Sequence, residues 1–209
     1  ALHPLTEETG ATAASVSPDG TYLFYFVNET KVGGGRLTLK RVRLDGTDRQ
    51  TILVVDTPLP DTEYRPSGIY PLSTISSDGR RLALSAFLGD GQTPDAPFGL
   101  MVFDVEQATV RLIMQGPTWC NMHPQYCRSG EAEESHDILT QENHGNVATA
   151  TGKITQLTGG EGADRVRVFD TDALKQTGEI DTPARPVADA HSGGLYLNNG
   201  GTARNNLLR

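Results

Sequence analysis

Two short turns of the same pattern constrain this chain more than anything else in it. Ser17-Pro18-Asp19-Gly20 precedes the alternating run TYLFYFV, and Ser76-Ser77-Asp78-Gly79 precedes RRLALSAFL, 59 residues later. An Asp-Gly pair suits the positive φ of a tight hairpin, and the apolar run after it reads as an inner or middle strand of a sheet. The partner strands are expected to repeat at the same offset. LTLKRVRLDGTDRQTILVV carries Leu44-Asp45-Gly46, FGLMVFDVEQATVRLIM carries Phe103-Asp104-Val105, and each closes on a further apolar strand. A third, less regular unit comprises GKITQLT, RVRVFDTDALKQTGEI and GGLYLNNGG. In it Val168-Phe169-Asp170 echoes Val102-Phe103-Asp104, a turn follows at Thr171-Asp172, and a second strand ends near Ile180.

Repeated units of about four strands predict an all-β chain, a β-propeller of four-stranded antiparallel blades. Closed rings take roughly four to eight blades, so 209 residues predict a partial ring of about three to four. The expected blades cover about 12–56, 68–115, 116–160 and 161–200 of one domain spanning 1–209. Regularly spaced short strands also suit a β-sandwich, but the in-register SxDG repeat favours the propeller. Gly33-Gly34-Gly35 lies between two strands with no helix after it, which makes it a hairpin and not a phosphate loop.

Composition narrows the function. A net charge of −8 disfavours nonspecific binding to nucleic acid or to an anionic membrane, and an anionic substrate would need a local basic patch. No stretch approaches the apolar length of a membrane-spanning helix. The start ALHPLTEETG is neither a signal peptide nor an initiator Met, so the N-terminus reads as processed or cut. Compartment stays open between cytoplasm and periplasm, and so does the oligomeric state.

Chemistry concentrates between Trp119 and Gly145, WCNMHPQYCRSGEAEESHDILTQENHG, which holds three of the five histidines, both cysteines and the single tryptophan. With no sustained alternation and no helical periodicity, it reads as a site-bearing connection. Cys120 and Cys127 could be a disulfide, two metal thiolates or two reduced thiols, and reduced thiols rank first. A CX6C spacing without CxxC or HxxxH argues against a zinc finger. His123, Gln125, Arg128, His136, Asp137, Gln141, Glu142 and His144 supply nitrogen and oxygen donors instead, suited to an open site for Mn, Ca or Zn. At least two of His123, His136 and His144 are expected to share a pocket. The structural alternatives are a surface or hydrogen-bonded role for each histidine, a solvated or Glu-paired Arg128, an exposed acidic turn at Glu131, Glu133 and Glu134, and a core or blade-junction Trp119. His3 and His191 are isolated.

The SxDGxxLxF units, then His123-Pro124-Gln125-Tyr126, then Gln141-Glu142-Asn143-His144-Gly145, resemble the oligogalacturonate lyases over roughly residues 12 to 160. Those are seven-bladed TolB-like propellers that cleave unsaturated galacturonate oligomers by β-elimination in pectin breakdown. The resemblance implies that His123 is the base and Arg128 meets the substrate carboxylate. It also implies a divalent metal, Mn²⁺, drawing on Gln125, His136, Gln141 and His144. The later family segments that hold most of the metal, a His-Glu-aromatic and a Gln-x-x-His-x-His, have no counterpart here. After about residue 163 the VFDTDALKQTGEI…LYLNNGG pattern instead resembles propeller repeats of the methylamine dehydrogenase heavy subunit. Two functions follow as expectations. One is an incomplete lyase acting on an acidic oligosaccharide, with weak activity in isolation. The other is a noncatalytic propeller module or inactive fragment that binds a protein partner.

Overall fold

In the computed structural model every regular element among the described residues is a strand. The structure describes residues 4–90, 92, 96–117, 119, 122–131, 135–142, 146–148, 154–156, 165–173, 175–181, 185–188, 195–198 and 206–208. No helix among them is long and apolar enough to cross a membrane.

The first sheet joins β1 (Ala11–Val16), β2 (Tyr22–Lys31), β3 (Gly34–Arg43) and β4 (Gln50–Val55) in chain order, all antiparallel. The second repeats the plan with β5 (Gly68–Ile75), β6 (Arg81–Phe87), β7 (Phe98–Asp104) and β8 (Thr109–Gly116). The third takes β9 (Gln125–Tyr126) and β10 (Asp137–Glu142), leaves out the hairpin β11 (Asn146–Ala148) with β12 (Ile154–Gln156), and resumes with β13 (Arg165–Asp170) and β14 (Lys175–Asp181). A further sheet of three strands holds β15 (Arg185–Ala188), β16 (Leu195–Asn198) and β17 (Asn206–Leu208). These four-stranded antiparallel units make a partial β-propeller. The first strands of successive sheets lie side by side, β1 against β5 and β5 against β9, which is how a propeller builds its channel wall.

Both faces of the second sheet are buried, and this explains why β7 reads FGLMVFD without polar alternation. Leu82, Leu84, Ala86, Met101 and Phe103 point toward the first sheet, where they meet Phe24, Phe26, Leu37 and Leu39. Ala83, Phe98, Leu100 and Val102 point the other way, onto Trp119, Met122, Tyr126, Ile138 and Phe169. Trp119 is a blade-junction aromatic, edge to face with Phe169 at 6.1 Å.

The two SxDG turns are superimposable in their bonding. In each, the serine hydroxyl donates to the aspartate (Ser17 to Asp19 at 2.5 Å, Ser76 to Asp78 at 2.6 Å) and accepts the amide that opens the next strand, Tyr22 or Arg81, at 2.9 Å. Gly20 and Gly79 take φ of 71° and 77°, a region where a Cβ is strained. Residues 17–26 and 76–85 therefore occupy equivalent strands. The offset does not persist to the end of the third strand. The Leu44 amide bonds the Thr21 carbonyl as the Val105 amide bonds that of Arg80, so Leu44 matches Val105 and not Phe103. The hairpins between second and third strands differ in length, a two-residue link after Lys31 against residues 88–97 after Phe87.

The third unit departs from expectation in two ways. Residues 165–181 belong to the third sheet and not to a fourth, because β10 pairs with β13 over its whole length, from Asp137 opposite Asp170 to Glu142 opposite Arg165. The Trp119–Gly145 stretch, expected as a connection, supplies that sheet's first two strands. Its alternation is hidden because β9 has two residues and a long turn separates it from β10. That turn is a third version of the same device. Cys127-Arg128-Ser129-Gly130 stands where SxDG stands, and the Cys127 amide bonds the Asp137 carbonyl at 2.8 Å just as Ser17 bonds Tyr22 and Ser76 bonds Arg81. Residues 131–135 are the insertion.

Candidate functional site

An open cavity of about 360 Å³ lies where the first strands of the second and third sheets adjoin. Leu72, Ser73 and Thr74 of β5 form one wall, and His123, Gln125 and Arg128 contribute from the other. The mount beneath is rigid. Met122 is fully buried and its carbonyl accepts the Thr140 hydroxyl at 3.2 Å, Pro124 is buried, and the Tyr126 amide donates to the Thr74 hydroxyl at 3.1 Å. Between the buried Met122 and Pro124, His123 is exposed with φ of 44°, a left-handed conformation that costs a non-glycine residue energy and often marks a functional position. Arg128, also exposed, donates Nη1 to the Ile75 carbonyl at 3.1 Å. Gln125 sits half-buried on β9 opposite Leu139. Three of the residues expected to form the site are thus brought together.

His136 is not among them. It precedes β10, with Nδ1 2.5 Å from Asp172 Oδ2 and Nε2 2.6 Å from Asp78 Oδ2. Burial alone would lower its pKa, but the hydrogen bonds to Asp172 and then Asp78 outweigh that and hold it above its ordinary value of 6.5. With both ring nitrogens engaged by carboxylates, neither lone pair is open to a metal, so the expected ligand role does not fit this arrangement. His123 and His136 do not share the pocket. Gln141 lies on β10 paired with Val166, its side chain outside the described residues, as are His144, His3, His191 and Cys120. Cys127 is a free thiol that accepts the Ser129 amide.

What sequence reading missed is the chain of charges around His136. Asp172, in the β13–β14 turn, also accepts Arg81 Nη2 at 3.0 Å, and Arg81 pairs in turn with Asp104. The signal was present in the repeat. His136 occupies the place of Arg80, since the Thr171 amide bonds its carbonyl as Val105 bonds that of Arg80, and Arg80 likewise pairs with Glu106 at 2.5 Å.

A divalent metal tests poorly against the described donors. No three His, Cys, Asp or Glu side chains among the described residues are gathered so as to hold an ion, and Gln125 brings only one neutral oxygen to the pocket.

No family model matches the sequence, and no curated protein matches it. Solved structures share its fold. The β-propeller domain of the Trilobed protease from Pyrococcus furiosus is 10% identical with a TM-score of 0.54, over 97% of this chain and 57% of that one. A Pyrococcus horikoshii acylaminoacyl peptidase is 11% identical with a TM-score of 0.53, over 92% and 28%. An oligogalacturonate lyase in complex with manganese is 15% identical with a TM-score of 0.50, over 93% and 60%. At such identities the likeness is one of fold. The chain spans less than two thirds of each of these structures.

Proposed function

We propose that this propeller binds an acidic oligosaccharide in the pocket beside β5 and β9 and cleaves it as a polysaccharide lyase, with oligogalacturonides of pectin as substrates. The meeting of an imidazole, a guanidinium and an amide in one open cavity carries the reading. In β-elimination a base removes the C5 proton, the freed pair forms the C4–C5 double bond, and the C4–O bond breaks with its electrons leaving on oxygen. His123 is the base. Arg128 meets the C6 carboxylate, which lowers the cost of the charge that develops as C5 loses its proton. Gln125 hydrogen-bonds sugar hydroxyls and orients the ring. Because the described donors do not fit manganese, no step passes through a metal.

A second reading, a noncatalytic module that binds the same sugar or a protein, is favoured by that lack of a gathered ligand set among the described residues. One experiment separates the two. Trigalacturonate is incubated with the full chain, ultraviolet absorbance of the unsaturated product is followed, and binding is measured by calorimetry. Product that disappears in His123→Ala supports the lyase. Binding without product, lost in Arg128→Ala, supports the module. Neither binding nor product overturns both as sugar readings.

A further inference from the structure

We propose that His136 is a proton-operated latch across the joint between the second and third sheets, closed while the ring carries two protons and released at Asp78 when it carries one. This goes beyond the sugar reading and does not depend on it. An ionised carboxylate only accepts hydrogen bonds, so a ring with Asp78 on Nε2 at 2.6 Å and Asp172 on Nδ1 at 2.5 Å must donate from both nitrogens. Only imidazolium can do this. A neutral ring has one N–H, and its remaining lone pair would confront a carboxylate oxygen.

The tie that survives deprotonation is set by the backbone. The His136 carbonyl accepts both the Thr171 amide at 3.3 Å and the Thr171 hydroxyl at 2.8 Å, which fixes the residue beside Asp172 within its own sheet. Asp78 belongs to the other sheet, and its Oδ1 is already satisfied by the Ser76 hydroxyl and the Arg80 amide. The tie to Asp78 is therefore the one released, and the joint it crosses is the one that forms the cavity between β5 and β9.

The repeat supplies a control. Arg80 holds the same place in the second sheet and pairs with Glu106, a cation that does not titrate in the physiological range. Histidine at this place makes the bond conditional on pH. The charged groups around it are Asp78 from the β5–β6 turn, Arg80 just before β6 and Arg81 opening it, Asp104 closing β7 and Glu106 in the turn after it, Asp137 opening β10, Asp170 closing β13 and Asp172 in the turn after it, and the buried phenol of Tyr126 on β9. The two carboxylates in contact sustain the charged ring, consistent with its raised pKa.

The test follows amide exchange in the full chain between pH 6 and 9, corrected for the intrinsic pH dependence of exchange. The probe is the Tyr126 amide, which crosses the joint to Thr74 Oγ1. Its opening should rise about tenfold as His136 deprotonates, the order expected for one lost charge-assisted hydrogen bond. Amides of β2 and β3 should not change. In His136→Arg the rise should vanish, since the cation is permanent. Proton NMR of the His136 ring gives a reading that survives if that variant misfolds, with titration above the ordinary histidine value that moves down in Asp78→Asn. Titration at or below the ordinary value, or the same pH-dependent opening in His136→Arg, would overturn the latch.

Discussion

Phe26 and Phe103 meet edge to face across the gap between the first and second sheets, their centroids 5.0 Å apart and their planes at 64°. Both are fully buried in the cluster that joins the two sheets. Truncating either leaves a cavity whose walls are strands pinned by ladders, so collapse is limited. Phe103→Ala should lower stability by about 3–5 kcal/mol. Urea denaturation of the full chain checks it, and a loss under about 1 kcal/mol would mean that the sheets do not depend on each other.

Glu8 ties the segment before β1 to the outer side of the first sheet. It pairs with Lys40 and accepts the Tyr25 hydroxyl at 2.6 Å, and these two hydrogen bonds, Lys40 first, pull its carboxyl from 4.5 down to about 2. A depressed folded pKa contributes stability above the unfolded value, and the contribution fades as pH falls from about 4.5 through about 2. Because Glu8 is partly exposed, solvent screening holds the contribution to about 1 kcal/mol. Melting curves of Glu8→Gln and the parent chain should differ at pH 6 and converge toward pH 2. A difference constant with pH would show that the carboxylate charge is immaterial.

Gly35 closes the β2–β3 hairpin with φ of 79°, and a Cβ there would sit 2.2 Å from the Glu29 carbonyl oxygen. Neither the backbone angle nor the neighbour can yield cheaply. Gly35→Ala should cost on the order of 1–3 kcal/mol. Gly33, at a similar φ but with open space around its Cβ position, should cost less when changed to Ala. Equal losses at the two positions would refute the steric part of this account.

If the cavity is the lyase site proposed above, His123→Ala should reduce turnover by roughly 10²–10⁴, the usual range for a general base. Arg128→Ala should weaken substrate binding, raising KM as well as lowering kcat, because a carboxylate contact is made before and during the reaction. Steady-state kinetics on trigalacturonate separates these effects. Unchanged turnover in His123→Ala would remove it from the role of base.

Much of the fold was legible because it is written twice. Serine, aspartate and glycine at 17–20 and 76–79 each serve one fixed function in the turn, so the residues themselves repeat. The third turn kept the backbone bond that closes it but not the residues, with Cys127 for serine and Ser129 for aspartate, and five inserted residues broke its spacing. Backbone bonds leave no trace in the alphabet. The cavity was half legible. His123, Gln125 and Arg128 are close in sequence, whereas Leu72, Ser73 and Thr74 come from a strand about fifty residues earlier, marked by no polar motif. His136 was misplaced for a physical reason. Its partners Asp78 and Asp172 lie 58 and 36 residues away, on turns that meet only once the sheets have stacked.

The third turn also bears on how such a scaffold can change. Its two ends are clamped by the bond from the Cys127 amide to the Asp137 carbonyl, which holds the register of β9 and β10 although the bonded pair lie ten positions apart in the chain. Five extra residues have already been accepted there, relative to the turns at Ser17 and Ser76. A turn closed at the backbone in this way can change in length and sequence while the strands it joins keep their pairing, so the first two strands of the third sheet are insulated from variation between them.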